Sequence, residues 1–417
     1  MNPGSVEGER RSADVSSPDQ TPTELPVALH RSDQFVGRTM NWLYDHLRLV
    51  PRYRIVVFSD TLENRDEFPL LEARNFNRWS FHRRLWRGAF GERLAPGDWW
   101  RLKWLAPCLL HSHSGYTAVG DLLLQKRLDL PWVVSFYGAD VYQLGRRAEW
   151  RNRYRQVFDR ALHVLALGPV MARHLEQLGC PPDKVVVHPL GVDVDTLPSR
   201  PRVMRRGDPL RILCAGTFRE KKGFVYAIRA VALVRHAGVP VKLYLVGDEA
   251  GKTGDRDTKR ALLDTIRSLN LDEVTSHLPF LSFRHLMDLA LKSDLFLAPS
   301  VTAADGDAEG TPFVLQQMMA TGMPAIATTH TDIPYLFGEL GDSLVPERDV
   351  PAIARRLQHY ADNPEVFTND GTALGARIRQ RFAARECAGR LADLYDVVSP
   401  KRSLVAPRLS KLDMTPM

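Results

Sequence analysis

The sequence predicts an α/β protein made of two Rossmann-like domains that face a central cleft. Three observations carry this expectation. Short apolar runs of strand length alternate with segments whose apolar residues recur at helical spacing, from about residue 26 onward. Residues 194–209, with Pro198, Pro201 and Pro209 among arginines, read as a linker that divides the alternation in two. A chain of 417 residues, 44% hydrophobic and 25% charged, is long enough for two such cores. The plan is a tail at 1–24, a first domain at 25–193, the linker, a second domain at 210–382, an amphipathic helix at 383–399 and a basic tail at 400–417.

Composition narrows the function. No apolar run approaches the roughly 18 residues that cross a bilayer, and the polar N-terminus carries no signal-peptide core. Cys108, Cys180, Cys214 and Cys387 are far apart, with no C-x-x-C pair, so a reducing cytoplasm is expected and a zinc site or disulfide framework is not. The formal charge of +7 favours polyanionic partners. No recognition-helix, RNP-like or zinc-finger pattern points to nucleic acid. A nucleotide diphosphate or an anionic membrane surface suits the charge equally.

In the first domain, residues 1–24 are rich in Ser, Pro, Asp and Glu and are expected to be disordered. A strand at Pro26–His30 is followed by helical spacing over Phe35–Leu49 and a strand at Tyr53–Phe58. Residues 74–104 interleave Arg74, Arg78, Arg83, Arg84, Arg87, Arg93, Arg101 and Lys103 with Phe76, Trp79, Phe81, Trp86, Phe90, Trp99, Trp100 and Trp104. This mix suits an interfacial segment on anionic lipid, or else an ordinary helical pair with buried rings and a solvated arginine face. His111 and His113 close an apolar strand. At i and i+2 they invite a metal reading, but no third ligand is evident nearby, and a structural pair serves as well. The next strand, Leu130–Phe136, ends at Tyr137-Gly138-Ala139-Asp140, and ligands of open α/β sheets bind at such carboxyl ends.

The second domain opens with a buried strand at Leu210–Gly216, then Thr217-Phe218-Arg219-Glu220-Lys221-Lys222-Gly223, then a helix over Phe224–Arg235. Strands at Val241–Val246, closed by Gly247, and Val274–Leu281 follow, with helices at Lys259–Leu269 and Arg284–Ser293. Leu295–Ala298 is a short strand stopped by Pro299. Thr311 reads as an N-cap with Pro312 at the first helical position; Gly322 and Pro324 end that helix before a strand at Ala325–Thr328. A helix start seats phosphate, and Glu309 just ahead of it is an acceptor suited to sugar hydroxyls. Asp305-Gly306-Asp307 imitates the start of a calcium loop, but Gln316 stands at the twelfth position and Pro312 interrupts. We therefore expect no obligatory metal and a mobile acidic loop over the cleft.

Several stretches resemble the family 4 glycosyltransferases, retaining enzymes of the GT-B type. Their E-G-x-P-x-x-x-x-E stands here as Glu309-Gly310-Thr311-Pro312-Phe313-Val314-Leu315-Gln316-Gln317, with Gln317 in place of the second Glu. The preceding P-S-V-T-A-A-D-G-D looks most like the branch that builds colanic acid and related exopolysaccharides. Their G-R-x-x-E-K-K-G is matched at Lys222 and Gly223, with Thr217 at the early Arg position and Arg219 two residues on. Their H-x-H-x-G is matched by His111, His113 and Gly115. Their H-G-x-D is matched at Gly138 and Asp140, with Tyr137 for the His. The R-L-x-x-L-Y pattern in 386–397 resembles the last GT-B helix, which crosses back to the first domain.

The resemblance implies transfer of a glycosyl group from a nucleotide-diphosphate sugar, base unknown, with retention. The acceptor would be a glycan or lipid-linked oligosaccharide, met at the inner face of the cell membrane. Arg219 and Lys222 would neutralise the leaving diphosphate, Glu309 would hold sugar hydroxyls, and Tyr137 and Asp140 would border the sugar. Gly216, Thr217, Gly223, Gly247, Leu278, Gly310, Thr311, Pro312 and Gln317 would line the donor side, with Gln317 at the ribose. His113, Gly115 and Gly138 would lie on the acceptor side. The alternative is a degenerate GT-B protein that binds nucleotide or glycan without turnover, because Tyr137, Thr217 and Gln317 all depart from the pattern at donor positions.

Overall fold

The computed structural model describes residues 25–37, 41–64, 68, 72–75, 96–251 and 253–399. Both terminal tails and most of the basic-aromatic segment, residues 76–95, lie outside them. The first sheet contains β1 (Val27–Phe35), β2 (Arg54–Leu62), β3 (Glu72–Asn75), β4 (Leu109–His113), β5 (Trp132–Ser135), β6 (His163–Ala166) and β7 (Val185–Val187). The second contains β8 (Leu210–Ala215), β9 (Val241–Val246), β10 (Thr275–Leu278), β11 (Leu295–Ala298), β12 (Ala325–Thr328) and β13 (Leu344–Val345).

Every strand pairing described is parallel. That explains why β5, β11 and β12 are apolar or small throughout, and why they and β4, which ends in His111-Ser112-His113, are buried on both faces. The spatial orders are β3-β2-β1-β4-β5-β6-β7 and β10-β9-β8-β11-β12-β13. In each sheet the chain winds outward, then returns beside its first strand, so β1/β4 and β8/β11 are the points where winding reverses. Crevices open beyond the carboxyl ends of such pairs. The polar residues at issue sit there: His30, His113 and Tyr137 in one domain, Lys222 and Glu309 in the other.

The helix Ala384–Val398 does cross back. Ala388, Leu391, Ala392, Tyr395 and Val398 share one apolar cluster with Leu43, Leu47, Tyr53, Ile55 and Val57 of the first domain. Tyr53 adds a hydrogen bond from its hydroxyl to Asp396 Oδ1 at 2.9 Å. The linker is also docked. Arg202 is 3% exposed and donates to the carbonyls of Arg200, Ala290, Ser293 and Thr321 at 2.7–3.1 Å. It thereby satisfies acceptors left over at the ends of the helices Phe283–Lys292 and Phe313–Ala320.

Three local expectations shift. β1 runs on to Phe35, which pairs with Leu62, so the following helix is only Asn41–Leu47. β10 stops at Leu278 because Pro279 has no N–H to continue the ladder. Pro312 is the N-cap itself, with extended ψ, and its carbonyl accepts from Leu315 N; the helix starts one residue later than expected, at Phe313. Thr311 is thereby freed from capping.

Candidate active site

On the second-domain side, three strand ends meet backbone to backbone. Gly223 has φ 64° and caps the helix Phe224–His236; a Cβ there would lie 1.8 Å from the Pro299 carbonyl oxygen. Gly247 is equally close-fitted, since a Cβ would lie 1.9 Å from the carbonyl oxygen of Gly216. This close approach brings the lysines after β8 onto the loop after β11. Lys222 Nζ is 3.1 Å from Glu309 Oε1; Lys221 Nζ is 3.7 Å from the same oxygen and donates to Asp307 Oδ1 at 3.0 Å. Burial alone would raise the Glu309 carboxyl, but Lys221 and Lys222 outweigh it and hold it at about 2. Oε1 forms ion pairs without hydrogen-bond geometry, and buried Thr311 Oγ1 has no partner among the described residues.

The main chain of Glu309 is held from β12's far end. Its N–H donates to His330 Nε2 at 3.0 Å, and the other ring nitrogen of His330 meets Glu347 Oε1 at 2.5 Å. Thr331 Oγ1 donates to the carbonyls of Glu309 and Gly310. Arg219 Nε is 3.5 Å from Asp255 Oδ1, at the start of the helix Asp255–Ser268. Thr217 accepts at its carbonyl from Arg219 N, and the Leu278 carbonyl accepts from Gly247 N at 2.9 Å. Gln317 is buried on the second turn of its helix. The acidic loop expected over the cleft is anchored instead: Asp307 is buried against Lys221, and Asp305 Oδ2 accepts from Gln143 of the first domain at 2.5 Å.

On the first-domain side, Asp140 organises the turn after β5. Its carboxylate accepts from the N–H groups of Gly115, Tyr137, Gly138 and Val141 at 2.9–3.3 Å, so both oxygens are occupied by main chain. That places Asp140 as the residue that fixes Tyr137 and the start of the helix Gly115–Leu128. The two sides touch. A Cβ on Gly138 would meet the Ala308 carbonyl at 3.1 Å, and Asp332 accepts from Val170 N and Met171 N at the start of the helix Pro169–Gln177.

His113 does not stand alone with His111. His30, from β1, brings a third imidazole, and one ring nitrogen of each of the three lies within 4.8 Å of the others. Neutral imidazoles at such spacing are a donor set for a divalent ion. Here, however, each of the six ring nitrogens also has a hydrogen-bond partner. Burial lowers His30 to about 3 and His111 and His113 well below the ordinary imidazole range. A second pair, His46 and His188, meets Nε2 to Nε2 at 3.1 Å and lines a small cavity with His111, His113 and Tyr137. Sequence reading missed His30, His330, Lys221 and Tyr395. The first two carry no local motif, whereas Lys221 was visible as the neighbour of Lys222.

Two family models match. One, described as glycosyl transferases group 1, covers residues 209–363; the other, glycosyltransferase family 4, covers residues 46–196. The chain is 32% identical over 266 residues to a putative colanic acid biosynthesis glycosyltransferase, WcaL, of Salmonella typhimurium, covering 63% of each protein. It is 29% identical over 287 residues to the amylovoran biosynthesis glycosyltransferase AmsK of Erwinia amylovora, covering 68% of this chain and 69% of that one. The match thus spans less than two thirds of the first relative's length, and 58% of the Escherichia coli counterpart's. Among solved structures, a sucrose-phosphate synthase from Thermosynechococcus elongatus superposes with a TM-score of 0.71 at 15% identity, over 90% of this chain and 99% of that one. Anabaena Alr3699/HepE in complex with UDP-glucose gives 0.70 at 16%, over 89% and 100%. At those identities the likeness concerns the fold alone.

Proposed function

Because the chain belongs to the family 4 glycosyltransferases, we propose that it moves a sugar from a nucleotide-sugar donor to a glycan or lipid-linked glycan acceptor. The setting is the assembly of an exopolysaccharide or other surface polysaccharide, in keeping with the names of its relatives. The observation that most supports this reading is the cluster of half-buried Lys221 and Lys222 around buried Glu309 at the β8/β11 crevice. It offers cations for a leaving diphosphate beside a carboxylate for sugar hydroxyls, on the domain to which we assign the nucleotide.

In this mechanism Lys222, with Arg219 behind it, compensates charge as the bond from the anomeric carbon to phosphate breaks. The acceptor hydroxyl attacks from the same face and passes its proton to the departing phosphate oxygen, which retains configuration. Glu309 accepts from the donor sugar, and Gln317 meets the ribose through its single amide oxygen. The lysines supply the charge a divalent ion would otherwise supply, so we propose no obligatory metal. Trp100 and Trp104, 80% and 79% exposed and one helical turn apart beside exposed Arg101 and Lys103, support docking on anionic lipid at the inner membrane face. Vesicle sedimentation checks that: Trp100→Ala/Trp104→Ala should lose recovery with anionic vesicles, and equal recovery of the unaltered chain on neutral and anionic lipid would end the idea.

The deciding experiment is thermal unfolding against UDP, GDP, ADP and CDP, with and without a divalent ion. A nucleotide at 100 times its dissociation constant adds about 2.7 kcal/mol and moves the midpoint by several degrees. A shift with one base, independent of metal, supports the reading and names the donor to use in turnover, where the anomeric configuration of the product is read. No shift with any of the four would count against it.

A further inference from the structure

Glu309 stands between two residues that are packed on the other domain. Ala308 is 2% exposed and belongs to the apolar cluster of the first domain, together with Leu167 and Met171. Gly310 is pressed on the same floor. A Cβ there would lie 2.7 Å from Leu167 Cδ1, 2.8 Å from the Tyr137 carbonyl oxygen and 3.0 Å from Met171 Cε. His330-Thr331-Asp332, just past β12, reach that floor as well. His330 accepts from Glu309 N, and Thr331 Oγ1 donates to the carbonyls of Glu309 and Gly310 at 2.9 and 3.2 Å. Asp332, fully buried, accepts from Val170 N at 2.7 Å through Oδ1 and from Met171 N at 2.9 Å through Oδ2.

Three features set this contact apart from an ordinary helix cap. The carboxylate comes from the other domain, 161 and 162 residues along the chain from the amides it receives. Gly168, which precedes the helix, has φ −167°, a conformation open to any residue. Yet a Cβ on it would lie 2.4 Å from Asp332 Oδ1 and 2.5 Å from Asp332 Cγ, so the seat of the carboxylate is what calls for glycine. Thr331 has φ 43°, a left-handed conformation rare for a β-branched residue, which persists where the surroundings over-determine it.

We infer that Asp332 is a positioning residue for Glu309. By clasping the first turn of the helix Pro169–Gln177 it ties Thr331 and His330, and with them the main chain of Glu309, to the first domain. The clasp and Gly310 both rest on Met171, so the Glu309 carboxylate keeps its place while the clasp holds and loses it when the clasp opens. What Glu309 does there rests on the sugar-transfer reading; the clasp does not.

Hydrogen exchange on the full chain tests the clasp without any ligand. Asp332→Ala removes the carboxylate on one domain, and Gly168→Ala displaces it from the other. Both should speed exchange at residues 168–172 and also, by about tenfold, at 303–310, which Asp332 itself does not bond. Faster exchange at 168–172 alone would reduce Asp332 to a local cap, and that result, or no change at either place, overturns the inference. Asp332→Asn, which keeps one accepting oxygen, should show both effects at smaller size and stands in if either variant fails to fold. The second arm measures turnover with the nucleotide sugar chosen by the unfolding screen. Asp332→Ala and Gly168→Ala should lower kcat by about tenfold, while the nucleoside diphosphate binds no more than about twofold weaker. An unchanged kcat, or a diphosphate weakened as much as turnover, overturns the positioning role. If no nucleotide binds the unaltered chain, the sugar-transfer reading fails and the exchange result still decides the clasp.

Discussion

On the first-domain side of the cleft, Tyr137, His113, His30, Tyr395, His111 and Ser135 are linked in a chain of hydrogen bonds with no net charge. On the second-domain side, Lys221 and Lys222 face Asp307 and Glu309, neutral in sum but held as four full charges. Both clusters are largely withdrawn from solvent, and burial penalises charge in both. The first avoids the penalty by keeping its imidazoles unprotonated. The second offsets it with opposite charges at 3.0–3.7 Å. A neutral hydrogen-bonded chain suits recognition of hydroxyls, where direction matters more than strength. A compensated charge cluster suits a ligand that brings its own charge and can take over one partner.

Acid should break this comparison most severely. His30 and His46 titrate at about 3 and about 4 in the folded chain, and His111, His113 and His188 lie well below their ordinary range. The unfolded chain takes up those protons from about pH 6.5 downward, so stability is lost as pH falls below that value, until the folded groups charge too. The slope can reach about 1.4 kcal/mol per pH unit per histidine. Urea midpoints at pH 7, 6 and 5 should therefore drop steeply, and a flat profile would show the imidazoles to be solvated. Glu309, held at about 2 against an ordinary 4.5, adds a further loss between those two values as the pH falls.

Removing one partner from the charged side comes next. Glu309→Ala leaves two lysines with a single carboxylate and should cost about 3 kcal/mol in stability as well as turnover. Calorimetry beside activity reads both, and loss of activity at unchanged stability would mean the lysines find solvent. Lys222→Ala should weaken nucleotide diphosphate binding by about 1.5–3 kcal/mol, measured by titration calorimetry. The smallest effect is a gain: Gln317→Glu should tighten nucleotide by about 1 kcal/mol if the carboxylate accepts from a ribose diol. An unchanged affinity would move Gln317 away from the ribose.

The charged side was legible in sequence because its parts are local. Lys222-Gly223 and Glu309-Gly310 each lie in the loop between a strand and the helix that follows it, and their order is visible in a single stretch. Even so, Pro312 took the cap expected of Thr311, because proline's fixed φ serves either position. The neutral histidine–tyrosine chain was illegible for the opposite reason. His30, Tyr137 and Tyr395 come from a first strand, a mid-domain turn and the last helix, and no spacing connects them. The H-x-H pair pointed to the place but not to the third histidine, which the return of β4 beside β1 supplies. Asp140 was legible as a position, while its engagement by four main-chain N–H groups emerges only from the turn it closes.

The crossover helix also sets a timetable. The first sheet is complete once β7 leaves the ribosome, but the cluster over Leu43, Leu47 and Ile55 takes Leu391 and Tyr395 from roughly 200 residues later. At about 5–20 residues per second, that is a wait of about 10–40 seconds with an apolar face uncovered. Throughout that interval the first domain is a natural client for chaperones, and the last helix is the element that releases it.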